Sequence, residues 1–422
     1  MSDSVGFSTL PGAFQGAQLG KNAKSRATVV LQGDSSGGPE GQKSPERVSP
    51  KLDPAAVRVE RYALQSVARS LLPKSRTAKC LRLLHAHKPS VQVFRSRALG
   101  STFYSGLQTC ASVWACPVCS AKISERRRAD LKSAIEAWTA QGGAVWLLTL
   151  THPHTAADAL ADLLEAETKA LHGFFRNRAG QALKASLGLV GHVRNWEVTH
   201  GRLRARNNGW HPHFHVLLFL RELPSGDMAS FEAQAFEVWA RACRSAGLPP
   251  PSAAHGVSLD GGEEAADYIA KMGLEAPREN LKASQDAEQV PRWGLDCEMT
   301  KGHTKRAKDG ETPFDLLRAV FADRQDQEAG RLFSEFAAAF HGRRQLVWSR
   351  GLRDLIGLEA EETDGEIEAR LEADAEILGW LSPDQWRAVV GADLRAELLE
   401  LARVGWEPVE RLLCSLGVPS EY

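Results

Sequence analysis

Between residues 144 and 272 the spacing of apolar positions switches between a period of two and a period near 3.6, so strands and helices succeed one another. Val145-Trp146-Leu147-Leu148-Thr149-Leu150-Thr151 reads as a strand by its apolar, β-favouring content. Residues 156–187 have helical spacing, with Leu160, Leu163, Leu164, Leu171 and Phe174-Phe175 on one side. A second strand covers 191–199, and the polar run from Gly201 to Gly209 turns the chain back. The third strand is His211-Pro212-His213-Phe214-His215, continuing into Val216-Leu217-Leu218-Phe219-Leu220. A helix over 231–246, a short strand at Val257-Ser258-Leu259 and a helix over 263–272 complete the series.

The order β-α-β-β-α-β predicts an α+β fold of ferredoxin-like, split βαβ type with a central antiparallel sheet. Around this domain, placed at 143–275, the pattern changes. Residues 1–55 are rich in Gly, Ser, Gln and Pro and read as a disordered tail. Residues 56–142 form a basic module containing cysteines, 276–320 a polar linker, and 321–422 a mostly helical region with acidic surfaces. Within the last, 364–380 is strongly acidic and amphipathic, as a solvated or partner-facing helix would be.

Composition adds little except through its distribution. A chain of 422 residues with 43% hydrophobic and 25% charged content has room for two or three ordinary cores. No apolar run approaches the length of a membrane span and the N-terminus lacks a secretory pattern, so a cytoplasmic protein is expected. Net charge is zero, yet residues 56–140 hold 15 Lys/Arg against 4 Asp/Glu, and residues 321–422 hold 11 against 21. Such segregation suggests one half that faces a polyanion and one that faces something else. The acidic helices are, by charge alone, a candidate partner-facing surface.

Seven cysteines, four of them between residues 80 and 119, fit metal binding in a reducing compartment better than a disulfide framework. Cys116-Pro117-Val118-Cys119 supplies two thiolates on one turn, half of a tetrahedral zinc site. Cys110 and Cys80 are the expected other ligands, with His85 or His87 as substitutes for Cys80. A redox dithiol and plain buried cysteines are the alternatives. Arg126-Arg127-Arg128 follow on a charged helix beginning near Ser120, and Arg202, Arg204 and Arg206 lie in the loop between strands; both sets are candidate phosphate contacts.

On the third strand His211, His213 and His215 leave one face of the sheet while Phe214 leaves the other. If Thr199 lies opposite His211, antiparallel pairing sets Glu197 opposite His213 on that same face. Glu197 is therefore a candidate third ligand beside His213 and His215, with His211 its competitor. On the helix over 263–272, Glu264, Tyr268 and Lys271 share one face by their spacing of four and three. A tyrosine beside a divalent ion and a lysine can lose its proton and attack phosphorus. A packed tyrosine beside a surface Glu/Lys pair is the alternative.

Together these stretches resemble a known family. His213-Phe214-His215 is similar to the HUH motif, and Tyr268-x-x-Lys271 to the nucleophile motif, of plasmid rolling-circle replication initiators (Rep proteins) of the HUH endonuclease superfamily. Leu148-Thr149-Leu150-Thr151 resembles that family's first motif, and Cys110…Cys116-x-x-Cys119 the cysteine-rich region of its actinobacterial members. Residues 336–344 and 348–353 are similar to the tail of the same group. The order of HUH before tyrosine, with no second tyrosine before Tyr422, resembles the single-tyrosine Rep group rather than conjugative relaxases. The resemblance implies nicking of one strand of a plasmid double-strand origin by Tyr268, leaving a 5′-phosphotyrosyl adduct and a 3′-OH primer. It further implies Glu264 as activator of the water that ends a round, Lys271 as a neutraliser of phosphoryl charge, and Mg²⁺ or Mn²⁺ at the nuclease site. An HUH transposase or mobilisation relaxase, and a non-catalytic zinc-dependent DNA-binding regulator, are the rival readings.

Overall fold

The computed structural model describes residues 54–97, 100–261, 310–370 and 375–419. Glu264, Tyr268 and Lys271, and the helix predicted over 263–272, lie outside the described residues. Five antiparallel strands form the main sheet: β3 (Ala144–Leu150), β4 (Leu189–His200), β5 (Trp210–Leu220), β6 (Val257–Asp260) and β7 (Leu346–Trp348), in the order β6-β3-β5-β4-β7. Helices α3 (Leu160–Arg176) and α4 (Arg178–Ser186) connect β3 to β4, and α5 (Met228–Ser245) connects β5 to β6. Each helical connection thus joins two parallel strands with one antiparallel strand between them.

The helix expected over 156–187 is two helices, because Asn177 ends the first and its side chain accepts the Gly180 N–H as cap of the second.

Alternation along β4 and β5 divides the core. Trp196, Val198, Phe214, Val216 and Leu218 face the side covered by α3, α4 and α5, and the rings of Trp196 and Phe214 lie 3.8 Å apart. Val193, Leu217 and Phe219 face the other side, with Leu147 of β3. There they are covered by Leu131, Ile135 and Trp138 of α2 (Pro117–Ala140), a helix that opens on Pro117 immediately after Cys116. The apolar face of α2 ends toward its N-terminal turns, where Ser124, Arg127 and Arg128 take over the buried positions. Beyond that point the same sheet face becomes polar.

A second sheet was not apparent from hydrophobic spacing. β1 (Val91–Ser96) pairs with β2 (Thr102–Ser105) on one side and with β8 (Ala375–Leu381) on the other. The expected acidic helix over 364–380 is instead a short helix, Asp364–Ala369, and the strand β8. α1 (Pro54–Leu71) packs against this sheet region and against three helices of the acidic region, α6 (Pro313–Ala322), α7 (Gln327–Ala339) and Arg395–Val404.

The basic and acidic segments therefore meet each other. Arg82 pairs with Asp393 at 3.0 Å, Arg58 with Glu400 at 3.2 Å, Arg126 with Glu362 at 2.5 Å, and Arg127 with Asp364. Arg395 is fully buried and donates to Gln65 Oε1 at 2.6 Å and to the Leu81 carbonyl at 3.2 Å. The charge segregation read from sequence as two outward-facing halves is in part internal complementarity. Among the described residues no helix is long and apolar enough to cross a membrane.

Candidate metal centre and active site

The polar end of the main sheet holds the histidines. Thr199 pairs with His211 and Glu197 with His213, the register expected from the strand pattern. Counting along that register puts Asn195, His215 and Thr149 in one row across the sheet, and Glu197 and His213 in the next. Glu197 Oε2 lies 3.0 Å from His215 Nε2 and 3.8 Å from His213 Nε2. One ligand atom from each of the three residues falls within 4.8 Å of the others. Two donors at right angles on an octahedral Mg²⁺ are separated by ~3.0 Å, so this set fits a shared divalent ion. Thr149 Oγ1 is 3.1 Å from His215 Nδ1 and fixes that ring from behind, the usual arrangement for a metal-binding imidazole.

His211, the competitor for third ligand, does not join the group. Its Nδ1 is 2.6 Å from His154 Nε2, and His154 Nδ1 donates to the Asn208 carbonyl at 2.8 Å. Burial, reinforced by the neighbouring imidazoles and Arg204, lowers His211 to about 2, so it is neutral at ordinary pH. Further along, His152 Nε2 approaches Glu167 Oε1 of α3 at 2.5 Å, both side chains sealed from solvent. Burial raises Glu167 to about 7 against the pull of His152. His152, His154 and Glu167 were not singled out from sequence. The Thr151-His152-Pro153-His154 run directly after β3 was the available signal.

Asn195 was also missed. It is completely buried, stands opposite His215 and two residues before Glu197, and neither its Oδ1 nor its Nδ2 has a hydrogen-bond partner among the described residues.

The cysteines form the second centre. Cys80, Cys110, Cys116 and Cys119 are buried and unbonded to one another, with sulfurs 3.4 Å (80–119), 3.7 Å (110–119) and 3.8 Å (80–116) apart. The edges of a tetrahedral zinc–thiolate site measure ~3.8 Å, so the four thiols fit Zn²⁺, with Cys80 rather than His85 or His87 as the fourth member. Burial alone would raise the Cys116 thiol, but hydrogen bonds from Cys110, Cys119 and Cys80 hold it well below its ordinary range. Gln65 Nε2 adds a further donor to Cys116 Sγ at 3.4 Å.

The candidate DNA-contacting arginines divide. Arg202 is clamped by Glu311 at 2.6 Å and Asp326 at 2.9 Å, Arg128 is paired with Glu125 at 2.6 Å, and Arg126 and Arg127 are held by the acidic segment. Arg204 and Arg206 are exposed on the loop that Arg202 anchors.

A carboxylate and two imidazoles on one strand pair, together with a separate cluster of four thiols, define an α+β protein with two candidate metal centres. Residues 104–245 match the model of a family described as replication protein. Over 374 residues it is 27% identical to "Protein rep" of Streptomyces lividans, an alignment covering 74% of this chain and 75% of that one. Over 152 residues it is 32% identical to "Neomycin resistance protein" of Streptomyces cyanogenus, covering 30% of this chain and 34% of that one. No solved structure matches significantly. The resemblance to a plasmid replication initiator drawn from the motifs is borne out at this level.

Proposed function

We propose that this protein initiates rolling-circle replication by nicking one strand of a plasmid double-strand origin. The convergence of Glu197, His213 and His215 on one sheet face, within a segment that matches the replication proteins, carries the proposal. The strand order β6-β3-β5-β4, with its two split crossovers, supports a ferredoxin-like HUH domain. Mg²⁺ or Mn²⁺ at these three residues would polarise the scissile phosphate and orient it for in-line attack. Thr149 Oγ1 lies 3.1 Å from His215 Nδ1, where accepting a hydrogen bond from it would leave Nε2 available.

The chemistry on the protein side belongs to the segment following β6, which lies outside the described residues. Tyr268 follows the end of β6 by eight residues, and β6 lies beside β3, the strand that carries Thr149. Its phenolate oxygen attacks phosphorus, the bond to O3′ breaks, and the products are a 5′-phosphotyrosyl link and a 3′-hydroxyl primer. Lys271 offsets charge on the phosphoryl oxygens. Glu264, four residues before the tyrosine, takes the proton of the water that ends the round. Arg204 and Arg206 contact the strand near the nick. Zinc at the four cysteines is structural, and the acidic region is the surface for any host helicase or polymerase.

The decisive experiment uses a supercoiled origin plasmid with Mn²⁺. Wild-type protein relaxes it and yields a peptide–oligonucleotide adduct on Tyr268 by mass spectrometry, whereas Tyr268→Phe gives neither. Nicking retained by that variant would establish a different nucleophile, or the non-catalytic regulator if wild type and variant are alike inert.

A further inference from the structure

A groove of about 1040 Å³ runs between the turn at residues 74–77, the loop carrying Cys110, the end of α7 with residues 341–344, and residues 361–365. None of the candidate nuclease ligands lines it. Lys74, Arg76 and Arg344 are exposed in it and Arg343 is half-buried, and none of the four is ion-paired among the described residues. The acidic wall is largely neutralised: Glu362 is held by Arg126 and Asp364 by Arg127. Burial raises the Glu361 pKa above its ordinary value against the pull of Arg127, Arg344 and Arg353. The groove thus keeps its cations and loses most of its anions.

Its shape is fixed from both sides. Cys110, Cys116 and Cys119 anchor the loop that forms one wall, and Trp114 Nε1 donates to the Arg343 carbonyl at 2.9 Å, tying that wall to the next. Trp114 and Phe340 are buried under the groove, 4% and 1% exposed, so neither presents a ring face. Single strands are held by bases stacked on exposed aromatics, whereas a duplex backbone needs only cations in register with its phosphates.

We infer that this groove is a second DNA contact, which binds the phosphodiester backbone of duplex DNA through Lys74, Arg76, Arg343 and Arg344. The inference rests on the replication-initiator reading for its ligand and is independent of the nicking chemistry. It also reassigns the basic segment, whose run Arg126-Arg127-Arg128 is spent inside the fold.

The test is fluorescence anisotropy of the zinc-loaded full chain on a mixed-sequence duplex across a salt series, without divalent ion. Substituting Lys74→Gln, Arg76→Gln, Arg343→Gln and Arg344→Gln together should flatten the slope of log K against log salt by about three to four. Binding to one strand of the same sequence should keep its slope. An unchanged duplex slope, or an equal loss on the single strand, overturns the inference. Zinc content and melting temperature show that the variant is folded. Should it not be, the Lys74/Arg76 and Arg343/Arg344 double variants each carry the test, with an expected change of about two. Failure of wild-type protein to nick would strike the nuclease reading and leave this one standing.

Discussion

At the residue scale, Asn195 makes the sharpest demand on the metal centre. An amide buried with no partner costs about 1–3 kcal/mol, so a group that supplies one is expected beside it. Water held on an ion at Glu197, His213 and His215 would supply that group. Asn195→Leu, similar in volume and apolar, should weaken Mn²⁺ binding about tenfold or more by calorimetry while the melting temperature holds or rises. Native affinity with a lowered melting temperature would instead make Asn195 a packing residue. The ligands themselves were legible in the sequence, because alternation fixes the face of each histidine and the hairpin fixes which residue lies opposite. Asn195 was not legible, since an orphaned amide is a property of what surrounds it. The same reason misplaced Arg126, Arg127 and Arg202: sequence shows the sign of a charge but not the carboxylate that claims it.

At the scale of elements, β4 is pinned to α3 by His192, whose ring lies flat on Phe175 with centroids 4.0 Å apart and planes 6° from parallel. Burial, with Lys184 and Arg194 nearby, lowers His192 to about 4. The unfolded chain therefore takes the proton first, near pH 6.5. This contribution to stability is complete above that pH and is lost as pH falls toward 4. His192→Phe keeps the stack and removes the titration, so the stability gap between pH 7 and 4.5 should narrow by on the order of 1–3 kcal/mol in denaturant melts. Parallel pH curves for the two proteins would exclude that role. The strands β3 to β6 were read to within one or two residues, since each is long or strictly patterned. β1, β2 and β8 were not, because short segments such as Ala375–Leu381 become strands only when a distant partner offers an edge.

At the scale of the whole molecule, the two oppositely charged stretches are one structure, and Arg395 is where they lock. Its guanidinium reaches Gln65, which in turn donates to Cys116, so the C-terminal helices touch the thiol cluster through two side chains. The ring of Tyr62 lies 5.2 Å from the same guanidinium, and the Tyr104 hydroxyl donates to the Arg395 carbonyl at 2.6 Å. Arg395→Ala should cost about 3–5 kcal/mol, because acceptors positioned around a buried cation are left without it. Zinc should also leave the variant faster in a chelator assay; unchanged zinc release would confine Arg395 to packing. The pairing of β1 with β8 has a consequence for how the protein is made. A ribosome delivers the thiol cluster and the histidine strands well before it delivers β8, so a nascent chain carries β1 with an open edge until then. The second sheet is therefore incomplete until residues 375–381 have been made, and a chain cut short upstream of residue 375 exposes the free edge of β1 and should aggregate.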